Sequence, residues 1–234
     1  MENKAILRPD GSTYIVAALA CGLIALTGFA RSYYLKSLFG NPPLPVLLHV
    51  HGVIMSSWCV LFIVQTYLVA THRVRLHRRL GIFGAVLSLL VVAIGTYATV
   101  AATAREVRSH VVRQFHFLFG LNLVNLLVFA ILVVSALTLR SRPEFHKRLM
   151  LMATLSILAP AVARITLLFT HAPMFQIWAF DLCVLIFVLI DTVRRRRLHP
   201  AFVWGGALLI GSFHLTAVAL AAKWWLPFVD RVFS

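Results

Sequence analysis

Pro45 to Gly81 reads PVLLHVHGVIMSSWCVLFIVQTYLVATHRVRLHRRLG, and this stretch decides the fold. It opens with an uncharged apolar run, Pro45 to Ala70. A bilayer-spanning helix needs about 20 such residues. His49 and His51 stand near the start of the run. A basic segment, His72 to Arg79, follows, and the next apolar run begins at once. One hairpin therefore sets His49 and His51 toward one membrane face and His77 toward the other. A second hairpin, Gln114 to Met150, repeats the arrangement with His116 and His146.

Composition points the same way. Of 234 residues, 61% are hydrophobic and only 12% charged, with a mean hydropathy of +0.90. That balance belongs to an integral membrane protein and excludes a soluble domain. A net charge of +15 would suit a nucleic-acid partner. The basic residues, however, sit mainly in short loops between apolar runs, which is the orientation signal of membrane proteins. Nucleic acid is excluded on that ground. The partners expected instead are the bilayer and anionic lipids on its basic side. Cys21, Cys59 and Cys183 lie inside apolar runs, without metal-site spacing or a C-x-x-C-H motif, and read as small core residues.

The whole chain, 1–234, reads as a single integral membrane domain, an all-α polytopic bundle. Seven transmembrane helices are expected at about 13–30, 45–70, 80–103, 114–139, 149–170, 175–193 and 201–222. The first resembles a signal peptide in its basic start but is long for one, and a retained helix is expected. Trp224 and Trp225, in the tail, suit an interfacial belt. Fourteen Lys and Arg residues fall on one side of this arrangement and seven on the other, with Arg164 inside a span. The positive-inside rule then places the N-terminus inside. The segments around His77 and His146 read as basic loops. Leu76-His77-Arg78-Arg79-Leu80 and Phe145-His146-Lys147-Arg148-Leu149 open two helices alike, which marks a duplicated hairpin.

The histidines carry the functional reading. His51 and His116 fall at the outer ends of their helices, and His77 and His146 at inner ends. Haem b held by two axial histidines takes one imidazole from each of two facing helices. His51 with His116, and His77 with His146, are the candidate axial pairs, with Arg164 a candidate for a haem propionate or anionic substrate. Gly81 and Gly120 follow His77 and His116 by four residues, on the same helix face, and leave room for a flat macrocycle. Met55 and Met150 follow His51 and His146 at the same spacing. The plainer alternative for His77 and His146 is interfacial anchoring.

Histidines on four consecutive helices, alternating in side, and pairing second with fourth and third with fifth, resemble the ascorbate-reducible di-haem cytochrome b family over His49 to Met150. The resemblance implies a four-helix haem core and electron transfer across the membrane, with an unknown donor and acceptor. His51 and His77 are 26 residues apart in this chain. LHVHGVIMSSW, LHRRLG and HKRLMLMAT are in turn similar to segments of uncharacterised bacterial multi-pass membrane proteins, which implies the bacterial cytoplasmic (inner) membrane.

Two other functions fit the same residues. His49, His51, His116 and His214 are a candidate outer cluster for copper or zinc, in a transporter or metal-handling protein with an outer His/Arg cavity. A cofactor-free assembly or structural protein would use its histidines only between helices. His72, His110 and His199 read as solvated loop residues. Finally, Arg164 and Asp181 reach the same depth on neighbouring helices, counted from the turn at His171 to Met174, and are expected to pair.

Overall fold

The computed structural model describes residues 9–109, 114–170 and 172–233. Nine α-helices lie among the described residues: α1 Pro9–Phe29, α2 Val46–Ala70, α3 Val74–Ser109, α4 Gln114–Thr138, α5 Pro143–Ser156, α6 Ala159–Thr166, α7 Pro173–Arg195, α8 Pro200–Leu220 and α9 Trp225–Phe233. No strand occurs among them. Inside a bilayer a chain must satisfy its own backbone groups, and helices do so within one segment. The hydroxyls follow the same rule. Those of Thr27, Ser56, Ser88, Ser135 and Thr154 each bond a carbonyl three or four residues back on their own helix.

Six helices are long and apolar enough to cross a membrane, and α5 with α6 pass the same test together as a pair bent by 49°. Many of their side chains point outward, among them Val46, Ile82, Leu89, Leu182 and Leu215. Such an apolar exterior suits lipid. In contact order, α1 packs on α2, α2 on α3, α3 on α4, and α4 on α5 and α8. α6 packs between α1 and α7. α5 is the central rod: Leu149, Met152, Ala153, Thr154 and Leu155 are all fully buried. Trp58 of α2 reaches this rod, donating from Nε1 to Thr154 Oγ1 at 3.2 Å and meeting Phe129 of α4 edge-on.

Four boundaries differ from the sequence reading. α3 begins at Val74, so the basic segment His72–Arg79 is largely helix, and His77 stands in its first turns. α5 begins at Pro143, which puts His146 on a helix too. Pro at the first helical position and Glu144 in the first turn are its start signals. The expected helix 149–170 is broken between Ser156 and Ala159. Pro160 explains the break, because it lacks an N–H and its ring clashes with the carbonyl of Ser156. The tail forms a further helix, α9. Trp225 is buried against Phe119 of α4, while Trp224 remains exposed, so only Trp224 suits an interfacial belt.

The link from α1 to α2 is also ordered. A π-turn at Ala30–Tyr34 and a short 3-10 turn at Lys36–Phe39 end at Gly40, with φ of 66°. That left-handed conformation favours glycine. At the same end of the bundle, Gly28 of α1 lies directly on the backbone of Ala161 in α6. Close crossings through small residues are how helices associate where lipid removes the hydrophobic drive.

Candidate functional site

The bundle has two polar ends. One gathers the start of α1, the α2–α3 and α4–α5 turns, and the α7–α8 turn. It carries most of the basic residues. His77 from α3 and His146 from α5 meet there, with ring centroids 6.3 Å apart and planes at 81°. Both rings are half-buried. His146 Nδ1 lies 2.8 Å from the carbonyl oxygen of Ala136 on α4. A carbonyl only accepts, so Nδ1 carries a proton, and in the neutral ring Nε2 is a bare acceptor. Gln65 of α2 holds the other ring. Its amide nitrogen donates to His77 Nδ1 at 2.6 Å and to the His77 carbonyl at 3.2 Å, and its oxygen accepts from the Gly81 N–H at 3.1 Å. Each histidine is therefore oriented through Nδ1 by a neighbouring helix; for the neutral His146 ring this leaves Nε2 bare for ligation, whereas the neutral His77 ring carries its proton on Nε2.

The spacing can be tested against a shared metal. An imidazole nitrogen binds at about 2 Å, and the ring centre lies about 1 Å behind it, so two rings opposite one another are centred about 6 Å apart. The observed centroid spacing, 6.3 Å, is close to that value, with the two ring planes near perpendicular. Gly81 adds room, since a Cβ there would meet only the Gln65 amide, at 3.9 Å.

Beside this pair lies a buried charge network. Arg148 of α5 is fully buried, and Asp191 of α7 nearly so. The guanidinium forks onto the carboxylate, Nη2 to Oδ2 at 2.6 Å and Nε to Oδ2 at 3.0 Å. Nη1 donates to the Glu144 carboxylate and carbonyl, both at 2.8 Å. Tyr14 of α1 donates to Asp191 Oδ1 at 3.1 Å. Arg195 bridges Glu144 at 2.9 Å and Asp191 at 3.6 Å. Asp191 meets the arginine run through Arg195. Its principal partner, Arg148, was read only as a basic-loop charge. A forked, fully desolvated pair of this kind fixes the relative rotation of α1, α5 and α7.

The opposite end carries the remaining candidates. His51 is half-buried, and its Nδ1 is buried without a hydrogen-bond partner among the described residues. His49 is exposed, its ring 5.9 Å from that of Tyr33. His116 stands on α4, but its side chain lies outside the described residues, as do His110 and His171. The space beside Gly120 is occupied: a Cβ there would stand 2.6 Å from Leu220 and 3.1 Å from Trp225. It is not left open for a macrocycle. The expected pairing of Arg164 with Asp181 does not form. Arg164 donates to the Pro160 carbonyl at 2.9 Å and lies 4.6 Å over the Phe29 ring. Asp181 bonds His214 Nε2 at 2.7 Å instead. Equal depth was the whole basis of the expected pair, and depth says nothing of which way a side chain points around its helix. No group of three or more His, Cys, Asp or Glu residues placed to hold a metal occurs among the described residues. His49, His51 and His214 thus do not form one.

The three cysteines are free, Cys21 buried and Cys59 and Cys183 half-buried. Compared with known proteins, the chain matches no family, no curated protein and no solved structure at a significant level.

Proposed function

We propose that this chain binds haem b and carries electrons in the bacterial cytoplasmic membrane, with seven spans and its N-terminus on the cytoplasmic side. The orientation follows from the excess of Lys and Arg at one end. The reading rests above all on His77 and His146, ring to ring at 6.3 Å, each held at Nδ1 by a neighbouring helix. These two residues would hold haem at the basic end. His51 and His116 are the proposed pair at the other end, supported there by the buried, unpartnered Nδ1 of His51.

Bound haem would supply a one-electron change at iron. The chain's own residues set the protons. Ala136 keeps the His146 proton on Nδ1, leaving Nε2 bare. Gln65 donates to His77 Nδ1, which keeps the proton of a neutral ring on Nε2. Ligation through both Nε2 atoms therefore requires the Gln65 amide to turn, so that its oxygen accepts a proton from Nδ1. Gln65 is a positioning residue in this scheme.

The test is the absorbance spectrum of detergent-purified protein, oxidised and then dithionite-reduced, for wild type, His77→Ala and His146→Ala. A reduced b-type spectrum that loses one component in both variants is expected, with partial recovery on adding imidazole. A preparation that stays colourless after haem supplementation overturns the proposal. So do variants with the full wild-type spectrum.

A second reading, a transporter or metal-handling protein, is favoured by a different observation. The α5–α6 span is broken, and His51 Nδ1 and Asp181 Oδ1 are buried without partners among the described residues. Broken spans and intramembrane ionisable groups mark substrate sites in transporters. This reading expects a colourless protein that copper, zinc or a substrate stabilises against heat.

A further inference from the structure

A separate feature lies at the basic end, between the start of α5, the end of α7 and the start of α8. A pocket of about 320 Å³ opens there, lined by Glu144, Arg195, Arg197 and His199. The chain reverses at Arg196, whose φ of 54° ends α7. Arg197 and His199 follow directly.

The chemistry of the lining is that of an anion site. Glu144 is already neutralised three times over, by Lys147 at 2.8 Å, Arg148 at 2.8 Å and Arg195 at 2.9 Å. Asp191 is held by Arg148 and Arg195. Two carboxylates thus face three cations before Arg197 is added. Arg197 has no acidic partner among the described residues. Its guanidinium offers the fork of donors that suits a phosphate.

His199 adds a donor that needs no extra proton. As the N-cap of α8 it accepts the Ala201 N–H at Nδ1, at 3.1 Å. The proton of its neutral ring is therefore on Nε2, and that N–H is the group left for a ligand. Burial, and next the charge of Arg148, hold the imidazole below its ordinary value, so it stays neutral near pH 7.

The geometry points to this pocket as a binding site for the phosphate of an anionic phospholipid headgroup. Its level in the structure favours a lipid over a free anion. It lies where α7 ends and α8 begins, both long enough to cross a bilayer. Leu198, between the two pocket residues, is exposed and apolar, a contact of use to an acyl chain. Basic pockets between membrane helices are a recurrent form of headgroup recognition.

The test uses the full chain, purified and exchanged into neutral phosphatidylcholine nanodiscs, with phosphatidylglycerol as the probe and native mass spectrometry as the readout. Wild type is expected to retain phosphatidylglycerol over phosphatidylcholine. Arg197→Gln should weaken that retention about ten-fold, the loss of one charge-assisted contact. His199→Asn preserves the helix cap and should weaken it as well, with an unchanged melting temperature at pH 7.5. Lys223→Gln, at the other end, should change nothing. Equal retention of the two lipids overturns the proposal, as does full retention by both pocket variants. Displacement by millimolar inorganic phosphate would identify a soluble anion as the ligand and overturn the lipid assignment.

Discussion

Replacing Arg148 with methionine tests the reasoning about the buried network most directly. Arg148 is fully buried, and Asp191 is 6% exposed. Removing one partner of a buried pair leaves the other charge uncompensated, at about 3–5 kcal/mol. Asp191 would keep Tyr14 at 3.1 Å and Arg195 at 3.6 Å, which sets the expected cost at the lower end, about 3 kcal/mol. For a chain of this size each kcal/mol moves Tm by about 2–4 °C, so the fall should be about 6–12 °C. Asp191→Asn is milder, about 2 kcal/mol, because Arg148 retains both the carboxylate and the carbonyl of Glu144. The double variant Arg148→Met with Asp191→Asn buries no stranded charge. It should fall short of the summed single costs by at least about 1 kcal/mol. The assay is thermal unfolding in detergent, followed by tryptophan fluorescence. A single Arg148→Met variant within about 1 kcal/mol of wild type would refute the argument. Strictly additive costs would refute it equally.

Other expectations follow from local geometry. Gly28→Ala puts a Cβ 2.5 Å from the Ala161 carbonyl oxygen and 2.7 Å from its Cα. Backbone cannot move aside cheaply, so a loss of about 1–3 kcal/mol is expected in the same melt. Gly120→Ala meets only the ends of the Leu220 and Trp225 side chains and should cost less than Gly28→Ala; the reverse order would contradict the α1–α6 crossing. His199 sets a pH dependence. Its folded value lies below 6.5, so protonation favours the unfolded chain. Its contribution is complete above about pH 6.5 and is lost as pH falls through the depressed folded value. Protonation also removes the acceptor that caps α8. Tm of wild type should therefore fall more between pH 7.5 and 5 than that of His199→Asn, and parallel curves would refute this role.

Much of this molecule is legible in its sequence because a bilayer constrains composition along the chain. Each span must be apolar for about 20 residues and must close its own hydrogen bonds. The six or seven long apolar helices, their approximate limits and the gathering of positive charge at one end follow from reading residues in order. The alternation of His51, His77, His116 and His146 between ends follows too, since it needs only a count of crossings. Helix starts were less legible. The basic segments before Leu80 and Leu149 look like loops by charge, yet continue α3 and α5 outward, because helix termini at an interface tolerate Arg and Lys.

What the order of residues does not contain is rotation. Arg164 and Asp181 share a depth, but the break at Ile157 and Leu158 turns α6 by 49°, and Arg164 comes to rest over Phe29. Arg148 looks like one basic residue among many in sequence, and it becomes the fully buried partner of Asp191 only when α5 takes the centre of the bundle. Gln65 carries no motif at all. It reaches His77 because α2 and α3 form a hairpin that lays its amide along the first turns of α3. A membrane sequence thus settles which long apolar helices exist, because lipid acts on every residue separately. Which polar groups meet is settled only by packing, because it depends on the angle of each helix about its own axis.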